Sequence, residues 1–376
     1  MHARSKHKRL DSSRWYPDLG QMPNHNQRYA FVTATPLDPK LGSGTAVAIM
    51  GLLGALNRRG KKIGLVTPPV LPLPDHTARW WFNRYVARTL HELDIDAAIG
   101  FDCDGYRFAG SKRKCTYAAY LHGVIGDEAK NERGRIRRRL TREANWERRN
   151  SRGADIVIVP SQYSKEMAME LYGLPEPRVV VLYNGIDIDD WPLQPEPSDE
   201  HPTVLCVAKM YPRKGINDLI KAWPKVHSAI PAARLRIVGD GQEEQRHIAL
   251  AGSLFSDPSP ITFLGAMRPP EVRQEYGRCH VFCLPSRQEA FGIVYVEAMA
   301  SGRPAIGTTS SAIPEVIGDG GLTVPPRDPD ALADALVDLL RDPELRSQYA
   351  ARGRRIAEGL TWDIAAIKFG EMLANI

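Results

Sequence analysis

The stretch CHVFCLPSRQEAFGIVYVEAMASGRPAIGT, residues 279–308, decides how the second half of the chain folds. FCLPS reads as a buried strand, RQE as the loop leaving its carboxyl end, the residues from Phe291-Gly292-Ile293 onward as a helix, and RPAIGT as a second strand. A strand, a helix and a strand in that order form a parallel unit, and the loop after the first strand opens on the edge of the sheet where ligands bind. Two acids, Glu289 and Glu297, stand with seven residues between them, one in that loop and one a turn inside the helix.

Working outward, the same alternation runs along the chain. YAFVTAT, KKIGLVTP, AAIGF, TYAAYL and DIVIVPS alternate with helical patterns from residue 29, and TVLCVAKM, ARLRIVGDG, ITFLG, HVFCLPS, RPAIGT and GLTVPP form a second series. Between them NGIDIDDWPLQPEPSDEHP is proline-rich and acidic, as an interdomain linker is. The expected fold class is α/β, with two Rossmann-like doubly wound domains facing across a cleft. Its divisions are a flexible basic tail at 1–28, a first domain at 29–185, a linker at 186–201, a second domain at 202–358 and a C-terminal helix at 359–376. Ligands belong in the cleft, outside the carboxyl ends of both sets of strands.

Composition is consistent with this. The 376 residues, 43% apolar, suffice for two cores. A formal charge of +6 and a pI near 9.0 suggest acidic partners such as phosphates, nucleic acid or an anionic membrane surface, although no nucleic-acid recognition module is visible. The five cysteines, at 103, 115, 206, 279 and 283, are scattered through apolar runs, which fits reduced core thiols in a cytoplasmic protein. Cys279, His280 and Cys283 do not form a zinc set, because strand alternation puts the thiols on one face and His280 on the other. The basic N-terminus has no apolar block after it, and the longest uncharged apolar run, TAVAIMGLLGAL, is short of the roughly 20 residues a bilayer span needs. Membrane contact is therefore expected to be peripheral.

The first N–H groups of a helix are unpaired and its dipole is positive there, so Phe291, Gly292 and Ile293 suit phosphate oxygens, with glycine allowing close approach. Glu297 shares a face with Ile293. A carboxylate accepting from neighbouring hydroxyls suits a ribose, and an acid in the loop, Glu289, suits a second polyol. A nucleotide sugar has both, joined by a diphosphate. Either acid alone would serve equally as a helix-end charge or a solvated residue. Other walls of the cleft add to the case. Lys209, Arg213 and Lys214 follow the first strand of the second half and bring cations for a diphosphate, and Gly239 in VGDG ends the next strand, where backbone would approach a nucleotide. In the first half, Gly42 and Gly44 mark a strand-to-helix junction, and His122 lies just beyond another strand.

Together, PSRQEAFGIVYVEAMASGRPAIG with IPEVIG, VAKMYPRKG, RIVGDG and LYNGID resemble the retaining GT-B glycosyltransferases of family GT4, over nearly all of the chain from about residue 29. The resemblance implies a GT-B fold and transfer of a sugar from a nucleoside diphosphate sugar with retention of configuration, with no cofactor beyond that co-substrate. By match, Glu297 would bind the ribose, Glu289 the donor sugar, Gly292 and Ile293 the diphosphate, and Lys214 the phosphate charge. Lys209 stands where the family usually has arginine, and Ser311-Ala312 where many members have two glycines. His122 resembles the histidine near the reacting sugar, so that His122, Glu289 and Lys214 are the expected catalytic set. Gly44 resembles the glycine loop facing the donor. TWDIAAIKFGEMLANI looks like the helix that crosses back onto the first domain.

The acceptor, a glycan, lipid-linked or small molecule, is expected on the first domain. Trp80 and Trp81 with Arg79, Arg84 and Arg88, and KNERGRIRRRLTREANWERRN with its eight arginines, could seat an anionic lipid surface or an acidic glycan. The alternative is a solvated helix on which Glu132, Glu143 and Glu147 pair with the arginines. The expected location is cytoplasmic, with peripheral contact at the inner face of the membrane as one reading. Asp102-Cys103-Asp104 and Asp187-Ile188-Asp189 match the D-x-D spacing of metal-dependent glycosyltransferases, but neither lies at the expected diphosphate site, so no metal is expected; Asp102 and Asp104 would cap a turn or touch the acceptor. Two other functions share the architecture. A nucleotide-sugar epimerase would need no acceptor, and a silent nucleotide-sugar binding protein would have no use for His122.

Overall fold

The structure, a computed structural model, describes residues 28–37, 44–68, 75–198, 201–256 and 258–374. Apart from Arg28, the expected tail at 1–28 lies outside the described residues, as does Gly42.

Strands β1 (Tyr29–Val32), β2 (Ile63–Val66), β3 (Ala97–Phe101), β4 (Thr116–Tyr120), β5 (Ile156–Val159) and β6 (Val179–Val181) alternate with helices α1 (Gly44–Arg58), α2 (Asp75–Glu92), α3 (Tyr106–Ala109), α4 (Ile125–Lys130), α5 (Gly134–Gly153) and α6 (Gln162–Tyr172). The second series has β7 (Thr203–Val207), β8 (Arg234–Val238), β9 (Ile261–Gly265), β10 (Val281–Cys283), β11 (Ala305–Thr308) and β12 (Gly321–Val324). Its helices are α7 (Ile216–Ala229), α8 (Glu244–Leu254), α9 (Pro269–Arg278), α10 (Ile293–Ala300), α11 (Ile313–Ile317), α12 (Pro329–Arg341), α13 (Pro343–Gly359) and α14 (Trp362–Ala374). Each series forms one six-stranded sheet, ordered β2-β1-β3-β4-β5-β6 and β12-β11-β10-β7-β8-β9, with every pairing parallel. Both are doubly wound. Chain order reverses between β1 and β3 in the first and between β7 and β10 in the second, and at such a reversal the flanking loops part to leave a crevice at the strands' carboxyl ends.

Period-two alternation divides the first core. Phe31, Ile99, Phe101, Ala118 and Tyr120 face one way, while Ala30, Val32, Ala98, Tyr117 and Ala119 face the other. The first face is covered by α1 and, from the far end of the chain, by α14. Trp362, Ala365, Ala366 and Phe369 form a stripe at helical spacing that joins this core, and Phe369 meets Phe31 edge to face at 6.0 Å. The proline-rich segment is fastened to the second domain: Arg354 donates to the Trp191 carbonyl at 2.7 Å, Arg303 to Pro195 at 2.6 Å, and Arg346 to the Glu196 carboxylate at 2.6 Å. The chain's two crossings between domains lie side by side, with the Ile186 N–H donating to Leu360 at 3.0 Å and the Trp362 N–H to Ile186 at 3.2 Å.

The reading of α5 as laced with glutamate–arginine pairs is corrected. Glu132 precedes the helix, and Glu147 is fully buried, accepting from the Ile125 N–H at 2.8 Å and from the Tyr172 hydroxyl, with burial pushing its carboxyl well up. Only Glu143 comes near a helix arginine, Arg139, at 3.9 Å. Arg135, Arg137, Arg138, Arg142 and Arg149 are exposed and make no ion pair among the described residues. No helix among those residues is long and apolar enough to cross a membrane.

Because Phe369 fills the first core from a helix that follows the second domain, Phe369→Ala should cost about 3–5 kcal/mol of stability. Denaturant titration followed by first-domain fluorescence checks this. A change within about 0.5 kcal/mol would mean that α14 rests on the surface instead.

Candidate active site at the interdomain cleft

The crevice between β7 and β10 is walled by the loops that leave those strands. From the β7 side comes Lys214 and from the β10 side Glu289, and they meet at 2.6 Å. Glu289 is nearly buried, and its carboxylate also accepts from the Ser286 hydroxyl at 2.8 Å. Burial alone would raise this carboxyl, but the charges of Lys214 and Arg213 and the hydrogen bonds from Lys214 and Ser286 bring it below the usual carboxylate range. Burial likewise holds the Lys214 ammonium below the ordinary lysine value, with Glu289 offsetting part of the effect.

Helix α10 starts immediately beyond. Gly292 is its N-cap at φ 86°, a left-handed conformation, and a Cβ there would lie 2.6 Å from the Tyr295 ring, so only glycine fits. Helix α10 thus begins within four residues of Glu289, with its first N–H groups unpaired inside the helix. One turn in, Glu297 accepts from the Tyr276 hydroxyl at 3.0 Å, and burial raises its carboxyl to about 7. Tyr276, itself fully buried, was not foreseen as part of the site; nothing in EYGRCH marks it. Ser311 stands at φ 54°, which explains why glycine suits that position, and its hydroxyl accepts the Glu289 N–H at 2.9 Å. The strained serine braces the loop that carries the acid.

The remaining residues divide. Lys209 lies at the mouth of the crevice but is paired with Asp240 at 2.5 Å. Gly239 serves the fold first, since a Cβ there would lie 1.9 Å from the Ala208 carbonyl oxygen, between the loops leaving β7 and β8. Phe291 is buried and Ile293 half-buried, so they can contribute only backbone N–H groups to a ligand. Arg213, whose charge also acts on Glu289, pairs across the cleft with Glu128 at 3.6 Å and Glu132 at 3.5 Å, both on the first domain.

On that facing domain, His122 follows β4 and precedes Gly123, where a Cβ would come within 3.3 Å of Ala290, next to Glu289. Its side chain is 5% exposed and stacks on Tyr120 at 4.9 Å, and neither ring nitrogen has a hydrogen-bond partner among the described residues. Both nitrogens are buried at the domain seam. Asp102, at φ 53°, accepts the His122 N–H at 2.8 Å and lies 3.6 Å from Nδ1, so it acts on the histidine. Asp104 corrects the expectation of an acceptor contact. It is fully buried, and its two oxygens accept from Arg79 at 2.9 and 2.8 Å, from Asn83 at 3.2 Å and from the Ala34 N–H at 2.6 Å. No part of that carboxylate faces the cleft. Gly44 is the exposed first residue of α1, and a Cβ added there would meet no described atom within 4 Å. Trp81 is 50% exposed beside Trp80, Arg84 lies over both rings at 5.9 and 5.2 Å, and Arg107 lies over Trp80 at 5.3 Å.

Sequence comparison adds independent findings. The family profile for glycosyl transferases group 1 matches residues 201–342, and that for Glycosyltransferase Family 4 matches residues 43–190. A GDP-mannose-dependent monoacylated alpha-(1-6)-phosphatidylinositol monomannoside mannosyltransferase of Corynebacterium glutamicum is 33% identical over 242 residues, 59% of this chain and 61% of that protein. The match thus spans less than two thirds of that relative's length. Among solved structures, sucrose-phosphate synthase from Thermosynechococcus elongatus superposes with a TM-score of 0.78 at 19% identity, covering 93% of this chain and 98% of that one. Anabaena HepE, solved with UDP and glucose, superposes with a TM-score of 0.69 at 19% identity, covering 93% and 100%. The fold is thus the GT-B arrangement. With profiles of one family matching both of its domains, the chain belongs to the group 1, family 4 glycosyltransferases.

Proposed function

We propose that the protein transfers a sugar from a nucleoside diphosphate sugar to an acceptor seated on the first domain, with retention at the anomeric carbon. The observation that carries this reading is the convergence at the β7/β10 crevice of the Lys214–Glu289 pair, the start of α10 and, one turn in, Glu297. In this reading Glu297 takes the ribose diol, the α10 N–H groups and Lys214 take the diphosphate, and Glu289 takes hydroxyls of the donor sugar. Lys214 then exchanges part of its contact with Glu289 for phosphate oxygen as charge builds on the leaving group, so stabilisation is greatest when the glycosidic bond breaks. The departing diphosphate takes the acceptor's proton on the face it leaves, and His122 holds a hydroxyl of the reacting sugar.

The donor we favour is GDP-mannose, on the strength of the Corynebacterium relative's name, and the acceptor a polyol lipid headgroup of the phosphatidylinositol type. The exposed arginines of α5 and the Trp81 surface support such an acceptor, because an anionic lipid surface attracts clustered cations and admits indole rings at its interface.

Three outcomes follow for measurement. Glu297→Ala should weaken GDP binding by roughly 1.5–3 kcal/mol in calorimetry, while Glu289→Gln keeps the affinity and loses turnover. A ribose diol donates to the ionised carboxylate, so binding expels the proton that burial keeps on Glu297. Wild-type affinity should therefore climb from about pH 6 and level off by about pH 8, whereas Glu297→Gln should climb less, keeping only the contribution of the terminal phosphate; equal slopes would remove Glu297 from the ribose. Secondly, turnover should survive EDTA, because Lys214 and the α10 dipole neutralise the diphosphate. NMR should find the product anomer unchanged from the donor; an EDTA-abolished reaction restored by magnesium, or an inverted product, would defeat the mechanism. Thirdly, the protein should co-sediment at low salt with phosphatidylinositol-containing liposomes and stay in the supernatant with neutral ones.

A further inference from the structure

We propose that Arg213 is a positioning residue that closes the first domain onto the donor loops through Glu128 and Glu132, rather than a ligand of the diphosphate; the link to turnover rests on reading the β7/β10 crevice as the donor site. Arg213 adjoins Lys214, yet its guanidinium crosses the cleft, with Nη2 3.6 Å from Glu128 Oε2 and Nε 3.5 Å from Glu132 Oε1. The side chains are 16% exposed for Arg213 and 2% for Glu132. A carboxylate buried so deeply is costly unless a cation answers it, and among the described residues Arg213 is the cation within ion-pair distance.

The rest of the seam shows why this contact reaches the chemistry. Gln288 Nε2 donates to Asp127 Oδ2 at 3.1 Å, and the Ser161 and Ser164 hydroxyls lie 2.7 and 3.2 Å from the Ala290 carbonyl oxygen, to which they donate. From α11, Glu315 accepts the Gln162 and Tyr163 N–H groups at the start of α6, at 2.8 and 3.3 Å. Residues on the β10 loop therefore alternate in duty: Gln288 and Ala290 hold the first domain, while Glu289 between them holds Lys214. The β7 loop is split in the same way, with Arg213 crossing the cleft and Lys214 staying in the crevice. The two loops are joined where the Arg287 N–H donates to the Arg213 carbonyl at 2.7 Å. A shift of the first domain is thus one residue away from both Lys214 and Glu289.

The test uses the full chain and hydrogen exchange of the α4 amides without nucleotide. Arg213→Gln should speed that exchange by about tenfold or more, as loss of a buried pair requires. The Glu128→Gln/Glu132→Gln variant should give the same rise, with no further rise when all three changes are combined. Arg213→Lys should restore most of the protection, because contacts of this length need charge and not a bidentate fork. GDP affinity should fall by less than about threefold in Arg213→Gln while kcat for hydrolysis of the sugar nucleotide falls by about tenfold, the split expected of a residue that orients rather than binds. Unchanged α4 exchange, or a loss of GDP affinity as large as that of Lys214→Ala, overturns the proposal. Should Arg213→Gln not fold, the double glutamine variant reads the same exchange. Failure of the wild type to bind GDP or UDP would defeat the donor reading alone, since the exchange measurement needs no nucleotide.

Discussion

A carboxylate with as little solvent as Glu289 has can stay ionised only against a matched cation, and Lys214 supplies it at 2.6 Å. The contact depends on the strand order. Lys214 follows β7 and Glu289 follows β10, residues far apart in the chain that meet because the sheet reverses its order between those two strands. The surrounding peculiarities serve the same contact. Gly292 takes a conformation that turns the chain into α10 immediately after the acid, Ser311 accepts a strained backbone to hold the Glu289 N–H, and Ser286 occupies a lone pair of the carboxylate. Strain and buried polarity gather where the loops must be held to a fraction of an ångström.

How much of this was legible in the sequence follows the range of the interactions. Every strand but β6, three valines at the sheet edge, was legible because parallel sheets covered on both faces leave short continuous apolar runs, and the crevice was legible because the loops after those runs have one destination in a doubly wound sheet. Glu289, Gly292, Glu297 and Lys214 all lie in such loops or one turn past them. What could not be read were partners in the other domain or under the surface. Arg213 is indistinguishable from Lys214 in VAKMYPRKG, and only the position of α4 gives it Glu128 and Glu132. Asp104 looks like half of a D-x-D pair until Arg79, Asn83 and Ala34 consume its oxygens. Gly239 reads as room for a nucleotide, yet the space is already taken by the Ala208 carbonyl. Glu147 fits a solvated helix in sequence and is buried in fact, because the face it occupies packs toward Tyr172.

The charges of the cleft have a further consequence for the proposed reaction. Lys209 is paired with Asp240, Lys214 with Glu289, and Arg213 with Glu128 and Glu132. A diphosphate entering such a site does not meet a bare cationic basin; it competes with carboxylates already placed at hydrogen-bonding or ion-pairing distance. Competition of this kind penalises weakly charged or poorly placed anions more than a diphosphate that reaches Lys214 and the α10 N–H groups together, so it favours geometry over charge alone. It also separates the fates of neighbouring residues. In the proposed reaction Lys214 trades Glu289 for phosphate within the crevice, whereas Arg213 stays beside the buried Glu132, which has little water to replace it. The same desolvation that makes Glu132 costly therefore keeps Arg213 on the seam, and in the proposed reaction the seam holds the first domain, with His122, against the donor loops.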